Sequence, residues 1–183
     1  MDGASSDGLA TMPGRGLDRV TPPLLPPPAQ YLRDDAIRGG MDLMFFAHRS
    51  HLANADAELA KQNLGRAHHR VLYFLGRYPE ISVSELLDVL SVTKQSLGRV
   101  MRDLMDRGLV CGRVGERDRR QKLLSLTDEG RTLENALFED LRRNMANAYS
   151  AAGESAVTGY WVVMQHLMRS EARTQFGRLH SRQ

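Results

Sequence analysis

The residues with the clearest capacity for chemistry are basic, and they are concentrated in the middle of the chain. Residues 94–122 contain nine lysines and arginines against four acidic residues, a formal excess of +5, whereas the whole chain of 183 residues carries +3. The other residues therefore carry −2. Clustered cations bind polyanions such as nucleic acid, although on charge alone a solvated charged surface explains the segment equally well. The basic residues are Lys94, Arg99, Arg102, Arg107, Arg113, Arg117, Arg119, Arg120 and Lys122.

Histidines offer the main route to a metal or catalytic site. His48 and His51 are three residues apart on a predicted helix, so their side chains can approach each other, and His68-His69 open the next helix. No carboxylate or cysteine stands at ligand spacing beside either pair, so a metal site is not predicted. We expect His48 to be a buried, hydrogen-bonded histidine near a subunit interface or a ligand pocket.

Composition and missing motifs exclude several classes of protein. The sequence has no dinucleotide or phosphate loop, no Gly-x-Ser-x-Gly elbow and no His-Glu-x-x-His, so we expect neither an enzyme nor a cofactor. The longest strongly apolar run, Leu43–Ala47, is too short to span a bilayer, and no secretory signal is visible. The single cysteine, Cys111, suits a reducing cytoplasm. We expect Cys111 to be structural, with oxidant sensing as the alternative.

Two helices with local start signals should position the basic residues. Ser82 can cap the amide of Glu85 while Glu85 reaches back to Ser82, which predicts a short helix ending near Leu90. Thr93 then caps a second helix that stops at Gly108. Two capped helices separated by so short a turn outline a helix-turn-helix.

A basic hairpin and long helices are predicted around this pair. Residues 109–114 and 121–126 form strands joined by a polar turn, and Thr127 caps a long helix that Gly153 breaks before a last helix. A long first helix begins near Tyr31. The proline- and glycine-rich residues 1–30 predict a flexible arm.

Five short motifs follow one another along the chain, namely Ser82–Leu87, Val92–Leu97, Leu104–Val110, Arg117–Arg120 and Leu126–Gly130. In this order and spacing they resemble the MarR family of bacterial transcription regulators over about residues 47–173. The Thr93–Leu97 and Arg119–Lys122 runs look most like its PetP-type branch, known from alphaproteobacteria. The resemblance implies a mainly α fold with a small β-hairpin, a winged helix-turn-helix with long N- and C-terminal dimerisation helices. It also implies cytoplasmic homodimers, many of which release DNA on sensing a ligand or oxidant.

This resemblance divides the chain into parts with different expected roles. Residues 31–183 would form the winged helix-turn-helix domain, in which residues 66–126 are the DNA-binding lobe. Residues 31–60 and 127–175 would be the dimerisation helices. The last helix is apolar around too much of its circumference for one buried face, which supports a partner copy. A two-fold dimer reads an inverted repeat with half-site centres about 10 base pairs apart.

Helical geometry separates the two faces of the second motif helix. At about 100° per residue, the apolar side chains Leu97, Val100, Met101 and Leu104 share one face. The opposite, polar face carries Gln95, Arg99, Arg102 and Asp106. N-terminal residues of a recognition helix point deepest into the major groove. The predicted contacts to base edges are Lys94, Gln95, Ser96 and Arg99, and Arg102 is predicted to hold a phosphate.

The wing is predicted to add contacts in the minor groove. By family resemblance Arg120 enters this groove, whose negative potential favours a guanidinium. Asp118 opposes phosphate binding by its charge, so we expect it to pair with Arg120 or Arg119 and hold the hairpin tip. The predicted phosphate contacts of the wing are Arg113, Arg117, Arg119 and Lys122.

Two further expectations concern partners other than DNA. A small-molecule effector would bind a candidate pocket near Phe45, His48, His51 and His69. The alternative function is a winged helix used as a protein-interaction module without specific DNA binding. A protein interface favours aromatic anchors over a charged wing and exposed Arg99 and Gln95, which argues against that alternative.

Overall fold

The computed structural model describes residue 25 and residues 30–116 and 119–181. The predicted arm 1–30, Arg117 and Asp118 therefore lie, wholly or almost wholly, outside the described residues. The elements in chain order are α1 (Asp34–Lys61), α2 (Arg66–Arg77), β1 (Ile81–Ser82), α3 (Val83–Leu90), α4 (Lys94–Asp106), β2 (Val110–Val114), β3 (Lys122–Leu126), α5 (Asp128–Ala152), α6 (Glu154–Leu167) and α7 (Ser170–His180). The chain divides into two compact units, residues 1–42 and residues 43–183.

The helix-turn-helix is built by the predicted caps. Ser82 Oγ accepts a hydrogen bond from the amide of Glu85, whose carboxylate accepts from the Ser82 amide in return. The amide of Ser96 donates to Thr93 Oγ1 at the start of α4. Gly108 follows α4 with a φ of 69°, a conformation that favours glycine. The capping predictions for α3 and α4 are confirmed.

The sheet has three antiparallel strands in the order β1-β3-β2. The predicted hairpin is β2 paired with β3, with Gly112 opposite Leu124. Leu124 also lies opposite Ile81 of β1, on the other side of β3. The sequence missed β1 because two residues carry no period-two pattern and their pairing depends on residues about forty positions away.

The core of the second unit lies between the end of α1, α2, α3, α4, the sheet and α5. Its fully buried side chains include Leu59, Leu72, Leu75, Ile81, Leu86, Leu104 and Leu124. Gly130, in the first turn of α5, permits a close approach, because a Cβ there would lie 1.9 Å from the carbonyl oxygen of Leu109. This approach fixes the start of α5 against the end of the helix-turn-helix.

Two helices leave large apolar side chains exposed in the single chain. On α1 these are Ile37, Met41, Leu43, Met44, Phe45 and Phe46, and on α6 they are Tyr160, Trp161, Val162, Val163 and Leu167. The predicted last helix is α6, which ends at Leu167; a further helix, α7, follows it and was not predicted. None of the helices in the described ranges is long and apolar enough to cross a membrane.

Candidate nucleic-acid interface

Helix α4 presents one apolar and one polar face, as predicted. Leu97, Met101 and Leu104 are buried in the core. Gln95, Arg99 and Arg102 are exposed on the opposite side. Lys94 is also exposed, whereas Ser96 is half-buried, with its amide donating to Thr93. No side chain stands within 4 Å of the position a Cβ would take at Gly98, so the helix surface is open there.

The cations on this polar face have no carboxylate partner among the described residues, unlike several arginines elsewhere in the chain. Within the described ranges, no side-chain hydrogen bond or ion pair engages Lys94, Arg99 or Arg102. By contrast, the carboxylates of Asp56, Asp103, Glu80, Glu139 and Asp140 each hold an arginine of their own. The positive charge of α4 is therefore available to an external anion.

A polar network joins α4 to the segment between α1 and α2. His68 Nε2 lies 2.9 Å from Asp103 Oδ2, and Arg107 Nε donates to Asp103 Oδ1 at 2.7 Å. The hydrogen bond from Arg107 lowers the pKa of the Asp103 carboxyl, which keeps it ionised. Arg107 Nη1 also donates to the carbonyl oxygen of Gln62 at 2.9 Å. The sequence analysis did not predict this network. The signal that could have indicated it is the histidine at the third position of α2.

The wing cations fall into two groups. Arg113, predicted to hold a phosphate, has its guanidinium 2.7 Å from the Glu80 carboxylate and 3.4 Å from that of Glu116. The hydrogen bond to Glu80 raises the pKa of Arg113. Arg119, Arg120 and Lys122 are exposed. The expected pairing of Asp118 with Arg119 or Arg120, and the phosphate contact of Arg117, concern residues that lie outside the described ranges.

A cavity of about 820 Å³ lies among α1, α2 and α5. Its walls include three of the four residues predicted for a ligand pocket, namely His48, His51 and His69, but not Phe45, which is 62% exposed. The expectation of a buried His48 is wrong for the single chain, where it is exposed and His69 is buried.

Electrostatics in the cavity favour neutral histidines. Burial lowers the pKa of His51 and, more deeply in the wall, that of His69. The carboxylate of Asp56 opposes this shift at His69 but is itself hydrogen-bonded by Arg66 at 2.7 Å. The remaining wall combines aromatic and aliphatic side chains with three arginines, and is formed by Leu52, Tyr73, Phe138, Leu141, Met145, Ala146, Tyr149, Arg66, Arg70 and Arg142. An apolar cavity with a few polar groups suits a small organic ligand.

Cys111 was predicted to be a structural thiol, with oxidant sensing as the alternative, and its role stays a prediction. It is exposed on β2, and its sulfur contacts the carbonyl oxygen of Ser125 at 3.7 Å. Among the described residues, no group of three or more histidine, cysteine, aspartate or glutamate side chains has metal-binding geometry.

Comparison with known proteins assigns the fold to a family. A family model described as the MarR family matches residues 62–121. The HTH-type transcriptional regulator PetP of Rhodobacter capsulatus is 45% identical over 146 residues, which cover 80% of this chain and 88% of that protein. The chain belongs to the MarR family. As a MarR-family protein it is a transcription regulator and not an enzyme, and its likeness to PetP confirms the predicted branch.

Solved structures of this family share the fold at low identity. The S. aureus MepR–DNA complex is 16% identical, with a TM-score of 0.55, covering 70% of this MarR-family chain and 97% of that one. NadR in complex with 4-hydroxyphenylacetate is 18% identical, with a TM-score of 0.59, covering 68% and 88%. The predicted mainly α, winged helix-turn-helix fold is confirmed.

Proposed function

We propose that this MarR-family regulator binds double-stranded DNA sequence-specifically as a homodimer, with α4 in the major groove and the wing, residues 111–126, in the minor groove. The observation that carries the proposal is the polar face of α4, where Lys94, Arg99 and Arg102 are exposed without a carboxylate partner among the described residues. Cations free of internal partners can replace the counterions of DNA without first breaking an ion pair.

Contacts to bases and to phosphates are assigned by position on α4. Gln95 and Arg99 lie in the first two turns, where side chains reach base edges, and they suit adenine and guanine respectively. Lys94 and Ser96 complete the base-facing set. Arg102 lies one turn further along and is assigned to a phosphate, which positions the helix without specifying sequence.

In the wing, the proposal separates contacts from supports. Arg119, Arg120 and Lys122 are assigned to DNA, with Arg120 in the minor groove, and Arg117 and Asp118 keep their predicted roles as phosphate contact and brace. Arg113 is reassigned as a support, because its guanidinium is already held by Glu80. A wing held close to its turn loses less conformational freedom on binding.

Dimerisation is proposed from the exposed apolar side chains of α1 and α6. Large apolar patches exposed on a single chain mark interaction surfaces. A second copy of this chain would cover Trp161 and Val163 of α6 and the apolar stripe of α1. The resulting two-fold axis places two copies of α4 on successive major grooves, so the operator is an inverted repeat.

Modulation by a small ligand is proposed for the cavity between α1, α2 and α5. Its volume of about 820 Å³ lies within the range of small-molecule sites. His48, His51 and His69, together with three arginines of the wall, supply polar groups to a largely apolar cavity. The complex of NadR with 4-hydroxyphenylacetate supports ligand binding by a protein of this fold.

The proposed function is tested by titrating the purified protein with its own upstream region and with a scrambled fragment at matched salt. Specific regulators bind their operator about 10³ to 10⁷ times more tightly than random DNA, and we expect a preference in this range. Footprinting should show two half-sites related by an inverted repeat. Equal, weak binding of both fragments would favour the alternative, a winged helix used only as a protein-interaction module.

A further inference from the structure

His68 makes one hydrogen bond to its own helix and one to the recognition helix. Its Nδ1 accepts a hydrogen bond from the amide of Gly65, at the start of α2, at 3.1 Å. A neutral imidazole that accepts at Nδ1 carries its proton on Nε2. That nitrogen lies 2.9 Å from Asp103 Oδ2 on α4, with the His68 side chain only 18% exposed. The ring therefore joins the first turn of α2 to the second half of α4.

The acceptor on α4 is itself held in place. The second carboxylate oxygen of Asp103 accepts from Arg107, one turn later on α4, and Arg107 donates to the carbonyl oxygen of Gln62. Two separate bonds thus tie the end of α4 to residues 62–68. Because Asp103 is ionised, its bond to His68 is charge-assisted and stronger than a bond between neutral groups.

We infer that His68 is a positioning residue, which sets the angle of the recognition helix α4 by bridging Asp103 to the first turn of α2. The inference rests on the proposed function, in which α4 reads bases. Base contacts depend on helix angle because bidentate hydrogen bonds are directional, whereas phosphate contacts tolerate a small rotation. Loss of the bridge should therefore reduce operator binding and leave binding to scrambled DNA nearly unchanged.

The two hydrogen bonds of His68 can be removed separately. Asparagine places its amide near the position of Nδ1, so His68→Asn keeps an acceptor for Gly65 and loses the reach to Asp103. Glutamine places its amide near the position of Nε2, so His68→Gln keeps a donor for Asp103 and loses the cap. The two variants are similar in polarity and serve as matched controls for each other.

The first measurement is hydrogen exchange of the free full-length variants. His68→Asn should speed exchange of amides in the second half of α4 by roughly tenfold, the effect of losing one hydrogen bond to a charged group, and leave the first turn of α2 as in wild type. His68→Gln should do the reverse. Equal protection of α4 in the two variants would overturn the inference. This readout uses no DNA, so it decides the inference even if the wild-type protein proves not to prefer its operator.

The second measurement is the ratio of operator to scrambled DNA affinity. We expect His68→Asn to lower operator affinity by roughly tenfold, with scrambled DNA changed by less than about twofold. His68→Gln should keep the wild-type ratio. A parallel loss on both fragments, or a lower ratio in His68→Gln than in His68→Asn, would show that His68 only caps α2.

Discussion

The guanidinium of Arg113 on β2 lies 2.7 Å from the carboxylate of Glu80, which immediately precedes β1. The strand between them is β3, where Leu123 lies opposite Arg113 on one side and Ser82 on the other. The ion pair therefore crosses the middle strand and joins the two edges of the sheet. It ties the turn end of β2 to the segment that opens the helix-turn-helix.

This ion pair leads to a prediction that opposes simple charge counting. Glu80→Gln removes a negative charge, so electrostatics alone would strengthen binding to any DNA. We expect scrambled DNA to bind slightly more tightly but operator affinity to fall by about threefold, because an ion pair exposed to solvent contributes little. Titrations of both fragments at matched salt measure this; Glu116→Gln serves as the control, because its contact with Arg113 is longer. A gain on the operator would make Arg113 a phosphate contact after all.

Arg99 should carry information about sequence. We expect Arg99→Ala to weaken operator binding by about 1–3 kcal/mol and to relax preference at one position in each half-site. Binding to a set of operators with single base changes measures this preference. Arg131→Ala, which removes the same charge from an exposed position on α5, should leave the base preference intact. A uniform loss on all sequences would identify Arg99 as a backbone contact.

Arg102 should contribute to the salt dependence instead. Each phosphate contact adds about 0.9 to the slope of log affinity against log salt, so Arg102→Ala in both subunits should reduce the slope by about 1.8. The base preference should stay as in wild type. Anisotropy titrations at several salt concentrations give the slope, and an unchanged slope would remove Arg102 from the interface.

We expect a second copy of the chain to cover the exposed apolar surface of α6. Val163 is 57% exposed in the single chain, so Val163→Asp leaves the monomer intact but would bury an unpaired charge in a dimer. We expect wild type to sediment as a dimer at micromolar concentration and Val163→Asp as a folded monomer. Val163→Thr, which keeps the shape, should stay dimeric. A wild-type monomer at this concentration would contradict the proposed assembly.

The cavity histidines should make stability depend on pH. Burial lowers the pKa of His51 and His69 below 6.5. Below that pH the unfolded chain therefore binds more protons than the folded chain. The free energy of unfolding should therefore fall as pH drops from 6.5 through the lowered pKa values. Thermal melts between about pH 7 and pH 5 measure the loss. The variant His69→Gln should show a smaller loss of stability at low pH, whereas His166→Gln, at an exposed position, should behave as wild type. An equal pH dependence of stability in the two variants would show that His69 does not contribute.

Local signals predicted the helix-turn-helix because each cap involves residues within three positions of each other. Ser82 with Glu85, and Thr93 with Ser96, are readable in the sequence for this reason. The outward face of α4 followed from helical periodicity alone. The contact roles of its side chains remain predictions.

What could not be predicted depends on residues far apart in the chain. Arg113 and Glu80 are 33 positions apart, and no local pattern distinguishes an arginine that has a carboxylate across a sheet from one that faces solvent. His68 and Asp103 meet only because α2 packs on α4. The exposure of His48 likewise depends on how α5 packs beside α1, and the spacing of His48 and His51 does not predict that packing.

Helix α2 has a wall of the cavity on one side, at His69, and the recognition helix on the other, through His68. Binding free energies at two such sites are reciprocal. A compound that weakens operator binding by a given factor is bound more weakly by the operator-bound regulator by that same factor. Titration of effector in the presence of excess operator DNA therefore underestimates its intrinsic affinity. Under the proposed function, the number of operators relative to dimers would then help to set the effector concentration at which DNA is released.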